Sequence, residues 1–260
     1  VQAFILLILL KKSPFSMIWH THDNVPIGFF PQDGASLNPL LQNPWMIIHP
    51  PIMFVGYSST VIAFAFVMNA MVKKDYLSWV KEARPWVIFS TLFLGTGIIL
   101  GGYWSYVTLG WGGYWAWDPV ENASLLPWLA ATAFLHSIMI QENRGMLKVW
   151  NMSLVLLTFL LTIFATFLTR SGLIESVHSF AENTKIAMIF LAFMGSIFAA
   201  SVVLILYRLP ELKSENQIQS FLSREAAFLL NNLVLLGAAF AVLWGTIFPL
   251  VSEAFTGNQI

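Results

Sequence analysis

Six stretches of this chain are each long and apolar enough to cross a bilayer, and almost nothing charged interrupts them. A span needs about 20 mostly apolar residues. The pattern predicts spans over roughly 49–72, 85–108, 122–141, 150–169, 185–208 and 225–249, with a partial span at 1–10. Charged residues make up only 10% of the 260, against about 25% in a soluble domain. Inside a bilayer every backbone N–H and C=O must pair within the protein, and the lengths suit helices. The predicted fold class is therefore all-α, a polytopic transmembrane helix bundle.

Lysine and arginine set the expected orientation. The loops with Lys73, Lys74, Lys81 and Arg84, with Arg144 and Lys148, and with Arg208, Lys213 and Arg224 fall on one side. The other side has only Lys11, Lys12, Arg170 and Lys185. The richer side is assigned to the cytoplasm or its topological equivalent. The predicted layout is a partial transmembrane helix at 1–10, an outer connector at 11–48 and a six-helix core at 49–249. The core includes outer segments at 109–122 and 170–184, and an outer C-terminal segment follows at 250–260. In VQAFILLILLKK the charges follow the apolar run, unlike a signal peptide; with no initiator Met, the sequence is expected to be a partial or split chain.

Thirteen basic and thirteen acidic residues cancel, so no basic field invites nucleic acid. There is no cysteine, so this chain offers no thiolate metal site and no thiol redox chemistry. A metal would have to be held by His, Met, carboxylate or a cofactor.

Residues 111–122, WGGYWAWDPVEN, lie between two spans on the outer side. Trp111, Trp115 and Trp117 with Tyr114 form an aromatic platform, preceded by Gly112 and Gly113. Such a platform at a membrane boundary suits a large, flat, apolar ligand, and haem is the obvious candidate. Asp118 before Pro119 looks like an N-cap with proline at the first helical position. Glu121 three residues on completes a capping-box pattern. A structural role is favoured here over acid–base chemistry.

The histidines are the candidate iron ligands. His49, in IIHPPIMFVGY, opens a span, and Pro50 and Pro51 are expected in the first helical turn. His178, in TRSGLIESVHSF, follows a helix broken at Ser171 and Gly172, with a short amphipathic turn expected over 173–180. Either alone could be an ordinary surface histidine. As a pair beside one aromatic loop, they could occupy both axial positions of a haem iron. His136 lies ~20 Å into its helix, well inside the bilayer. Two readings stay open for it: a neutral imidazole hydrogen-bonded to a neighbouring helix, or a ligand of buried haem iron. His20 and His22 lack a third ligand at recognisable spacing and read as a surface feature. Arg170 at a helix end could pair with a haem propionate or snorkel to the interface.

These segments resemble a known family. WGGYWAWDPVENASLLPW is similar to the tryptophan-rich signature of the haem-handling proteins of cytochrome c biogenesis. LNPLLQNPWMIIHPPIMFVGY at 37–57, FLTRSGLIESVHSF at 167–180 and SREAAFLLNN at 223–232 resemble the CcmF and NrfE-type haem lyase subfamily, in the expected order. The resemblance implies an outer-face haem-binding region of loops and amphipathic segments. His49 and His178 match the outer histidines that hold haem in transit; Trp111, Gly112, Trp115, Trp117 and Asp118 match the platform. His136 matches a ligand of a second, b-type haem that reduces the transferred iron. Implied partners are a CcmE-type haem carrier, CcmH-type subunits, an apocytochrome c with a CXXCH motif and membrane lipid. The family carries a second transmembrane histidine beyond the SREAAFLLNN segment, whereas no His follows His178 here. The b-haem site is thus expected to be incomplete in this chain: either the chain ends early or a separate polypeptide supplies the partner ligand.

Three other readings stay open on the residues alone. A transporter of haem or another lipophile would use His136 and the outer site as stations, although the spans hold no buried carboxylate or lysine for ion coupling. A cofactor-free structural subunit of a membrane redox complex would need none of these ligands. A b-type quinol oxidoreductase would need paired histidines on facing helices, and only His136 is available.

Overall fold

The computed structural model describes residues 1–11, 13, 15–34, 36–110, 112–174, 176, 178, 184–214, 216, 218 and 220–257. The chain divides into two units, Val1–Asn43 and Pro44–Ile260. The first carries α1 (Gln2–Lys11), the single turn α2 (Ile18–Thr21) and a 3-10 turn at Pro39–Leu41. The segment expected as a partial span is thus a ten-residue apolar helix. His20 sits in α2 with its ring edge-on to Trp19. His22 Nδ1 lies 3.0 Å from Thr21 Oγ1.

The second unit is a bundle of α3 (Pro44–Lys73), α4 (Trp79–Thr108), α5 (Pro119–Arg144), α6 (Lys148–Ser171), α7 (Thr184–Arg208) and α8 (Arg224–Thr256). All six are long and apolar enough to cross a membrane. The helices outrun the expected spans because their ends carry polar and aromatic residues, which suit the interfacial layers beyond the hydrocarbon core. Pro44, not Pro50, occupies the start of α3, so Pro50 and Pro51 lie inside the helix and not in its first turn. Each proline withholds an amide, leaving the Met46 and Ile47 carbonyls without their usual helical donors. α8 runs on to Thr256 and closes at left-handed Gly257, so the segment expected to follow the last span from 250 is helical through Thr256.

Helices α5 and α6 form the centre: 67% of the apolar window of each is buried, against 11% for α7 and for α8. Phe134, Ile138 and Met152 pack there with Val67, Met71, Trp79 and Val80 of α3 and α4. A buried polar lock joins the two central helices. Asn151 accepts a hydrogen bond from Ser137 and donates to Gln141 Oε1 at 2.8 Å, and Gln141 donates to the Tyr76 carbonyl at 3.0 Å. Interhelical hydrogen bonds of this kind contribute about 1 kcal/mol each in a membrane.

Helices α3 and α4 approach closely along three glycines. A Cβ on Gly56 would lie 2.8 Å from the Leu94 amide nitrogen, and one on Gly97 would lie 3.0 Å from Met53 Cα. The third is Gly101, which faces His49. Small residues spaced four apart let membrane helices come into backbone contact.

The three lysine- and arginine-rich connections meet at one end of the bundle. Lys74 pairs with Glu211 at 2.8 Å, and Arg208 donates to the Met71 carbonyl at 3.0 Å. Arg144 reaches Glu225 at 3.3 Å. The start of α3 and the α4–α5 and α6–α7 connections occupy the opposite end, where the candidate site lies.

Candidate functional site

His49 stands in α3 one turn past its start, and its ring lies on Gly101 of α4. A Cβ at Gly101 would come within 2.6 Å of His49 Cε1. The missing side chain is therefore what admits the imidazole. His49 Nδ1 lies 2.7 Å from the Gly97 carbonyl oxygen. A carbonyl can only accept, so Nδ1 carries the proton and Nε2 keeps its lone pair.

His178 reaches the same end of the bundle from the connection after α6. Its Nδ1 lies 2.9 Å from Asp118 Oδ2. Two further donors meet that oxygen: the Val120 amide at 3.0 Å and Ser176 Oγ at 2.8 Å. Asp118 is the N-cap of α5 with Pro119 behind it, as the local sequence predicts. Its side chain is only 7% exposed. Burial works to raise its pKa, but the hydrogen bond and charge of His178, with Ser176 and the Val120 amide, outweigh it and hold the carboxyl below the usual range. Among the described residues nothing hydrogen-bonds Nε2 of either His49 or His178. The two rings lie within electrostatic reach of each other.

The aromatic segment is strung between these two histidines. A Cβ on Gly102, next to Gly101, would meet the Tyr114 carbonyl oxygen at 2.8 Å, so the loop backbone rests directly on α4. The Tyr114 ring stacks on Tyr106 of the same helix at 4.4 Å between centroids and 8° between planes. Trp115 and Trp117 meet edge to face at 6.4 Å. Trp117 is 66% exposed and has a left-handed backbone, φ 59°. That conformation costs a bulky residue of order 1–3 kcal/mol. It is held by Asn122, whose amide donates to the Trp117 carbonyl at 3.0 Å. Glu121 accepts the Ala116 amide at 2.9 Å, so it braces the loop ahead of the cap. Gly112 takes φ 73°, and Trp111 lies outside the described residues. At the start of α3, Trp45 adds an edge-to-face contact with Tyr103 at 4.9 Å.

Two further expected positions are His136 and Arg170. His136 sits mid-helix in α5, half-buried, with Nδ1 2.6 Å from Asn231 Nδ2 of α8 and Phe228 stacked at 6.3 Å. Arg170 is exposed at the last turn of α6, with no ion pair among the described residues. Of the turn expected over 173–180, residues 175, 177, 179 and 180 lie outside the described residues.

Several working residues escape a reading of the sequence. Gly97 and Gly101 carry the G-x-x-x-G spacing of close helix contacts, which could have marked them, though not their partner. Ser176 and the Asp118–His178 pair have no local signal.

The donor set suits haem. Two imidazoles come from different elements, each with Nδ1 occupied and Nε2 without a hydrogen-bond partner among the described residues, beside exposed aromatic surface and with no competing thiolate.

The chain is similar to known proteins over most of its length. Residues 2–175 match the family model described as cytochrome C assembly protein. The cytochrome c-type biogenesis protein CcmF of Pseudomonas aeruginosa is 41% identical over 99% of this chain and 38% of its own length. The protein of the same name from Escherichia coli is 42% identical over 96% of this chain and 38% of its own. NrfE of Haemophilus influenzae is 37% identical over 99% of this chain. A solved structure titled cytochrome c haem lyase CcmF superposes with a TM-score of 0.67 at 37% identity, covering 82% of this chain and 32% of that one. The chain thus spans about two-fifths of the length of the curated relatives it matches.

Proposed function

The chain belongs to the cytochrome c assembly protein family, it is a multi-pass membrane protein, and from that premise we propose that it holds haem during its ligation to apocytochrome c. The observation that carries the proposal is the pair of imidazoles at one end of the bundle, each anchored through Nδ1 with Nε2 left available. His49 and His178 would hold the iron through Nε2. The loop 112–118, with Trp115, Trp117 and Tyr114, would cover the macrocycle. Arg170 would meet a propionate. When bound, the haem supplies the vinyl groups that react with the thiols of a CXXCH apocytochrome. The chain has no cysteine of its own, so its part is to position: it brings vinyl and thiol together and fixes the iron.

His136 is proposed as one ligand of a separate b-type haem. Its Asn231 partner lies at the rim of the bundle, where a second polypeptide or a further part of the protein would bring the other histidine. A CcmE-type carrier would deliver haem, and CcmH-type subunits would present the apocytochrome. The lysine and arginine asymmetry supports placement in the bacterial cytoplasmic or mitochondrial inner membrane, with the histidine end facing the periplasm or intermembrane space.

The test is to purify the assembly with His49→Ala and with His178→Ala and record haem absorption and cytochrome c yield. The wild type should show a low-spin bis-imidazole spectrum. Each variant should lose the outer-site share of that spectrum and most of the yield, while the share belonging to His136 persists. Unchanged spectra and yield in both variants would defeat the proposal. Uptake of haem into vesicles by the chain, with no effect on ligation, would favour a transporter instead.

A further inference from the structure

The two outer histidines are held by chemically different partners. His49 donates to a neutral backbone carbonyl, Gly97, at 2.7 Å. His178 donates to a carboxylate, Asp118, at 2.9 Å. Resting on the outer haem site proposed above, we propose that Asp118 is the positioning residue of His178: it fixes the Nδ1–H tautomer and makes His178 the stronger electron donor of the axial pair.

The geometry supplies each part of this. Asp118 Oδ2 accepts from the Val120 amide, from Ser176 Oγ and from His178 Nδ1. The Val120 contact is the N-cap of α5, so the carboxylate is immobilised by a long, packed helix and not by a flexible loop. Ser176 closes the lock from the other side, because its Oγ also accepts the His178 amide at 3.0 Å. His178 is therefore tied to Asp118 Oδ2 directly through its ring and, by way of Ser176 Oγ, through its backbone. The opposite tautomer would aim the Nδ1 lone pair at the carboxylate, which repels it. The Asp118 side chain is nearly excluded from water, so this preference is little screened.

A carboxylate partner has an electronic consequence. Charge-assisted hydrogen bonds are roughly twice as strong as neutral ones. Drawing the Nδ1 proton toward a carboxylate raises the basicity of Nε2. A more basic imidazole stabilises ferric over ferrous iron and lowers the midpoint potential of the haem it ligates. His49, facing a neutral carbonyl, lacks that push. The end of the bundle thus offers one strong and one weaker axial donor. Asp118 also caps the helix that carries His136, so both proposed haem sites are mounted on α5.

Asp118→Asn separates the two duties of the residue. Asparagine caps helices about as well as aspartate, so α5 should be preserved, and an unchanged thermal melt of the assembly checks that. The first readout needs no haem: solid-state NMR of the haem-free assembly labelled with 15N-histidine, with the His178 signal assigned by its loss in His178→Ala. Wild type should show His178 protonated at Nδ1, and Asp118→Asn should show a mixture of tautomers. The second readout is spectroelectrochemistry with haem bound. Asp118→Asn should move the outer-site potential upward and weaken ferric haem binding by roughly 10-fold or more. The His136 haem should not move. An unchanged tautomer together with an unchanged potential would overturn the proposal. If His49→Ala and His178→Ala leave haem binding intact, the outer-site proposal fails by itself; the tautomer measurement still decides whether Asp118 orients His178.

Discussion

The outer histidines and the mid-membrane histidine are held by opposite kinds of partner. His49 faces a carbonyl and His178 a carboxylate, and both groups can only accept a proton. Each ring is thereby fixed with Nε2 free. His136 faces the side-chain amide of Asn231, which can present either a donor or an acceptor. With the amide nitrogen toward Nδ1, the imidazole proton moves to Nε2 and the ring cannot ligate a metal. With the oxygen there, Nε2 is free. This chain's own fold fixes His49 and His178 with Nε2 unoccupied, whereas the choice at His136 is left to whatever packs beside α8. Which ring nitrogen a histidine leaves open thus depends more on the nature of its partner than on its depth in the bundle.

The comparison breaks most easily at Gly101. Gly101→Ala places a Cβ 2.6 Å from His49 Cε1, and the ring must leave its seat. Outer-site haem affinity should fall by about 10- to 100-fold, with the His136 haem unchanged; titration with hemin followed by absorption reads both. Equal loss at the two sites would show that α3 and α4 had unpacked generally. The converse change is Asn231→Leu, which removes the ambivalent partner of His136. Its expected effect is smaller, about 10-fold on the mid-membrane haem and none on the outer one.

The smallest effect is with acid. Asp118 has a folded pKa held below its ordinary 3.8. Its contribution is therefore complete above that value and is lost as pH falls through the folded pKa. The melting temperature of the haem-free assembly should drop in that acidic window, and Asp118→Asn should flatten that part of the profile. A wild-type profile that matches the variant would show that the lock contributes nothing to stability.

Local features were legible in proportion to how local their cause is. The six helices announced themselves because bilayer crossing demands apolar length, which is a property of one segment at a time. The Asp118–Pro119 cap was legible for the same reason. The boundary of α3 slipped at residues 44–48 because Pro50 and Pro51 look like a first helical turn, whereas Pro44 takes that place. The two histidines could be singled out, and the resemblance to a family supplied the role proposed for them. Their state could not be read. The partner of His178 is 60 residues away and that of His49 is 48 residues away.

The sequence by itself determined that this chain is a polytopic helical membrane protein, with its unusual chemistry gathered on one side and no thiol of its own. Hydrophobic length, lysine and arginine placement and residue inventory need no folding to count. Only the tertiary structure decided which nitrogen of His49 and of His178 is free, that Gly101 is the seat of one ring, and that the cap of α5 is also the anchor of the other. Those are properties of contacts between helices. A hydrogen bond chooses a tautomer only after packing has chosen the neighbour.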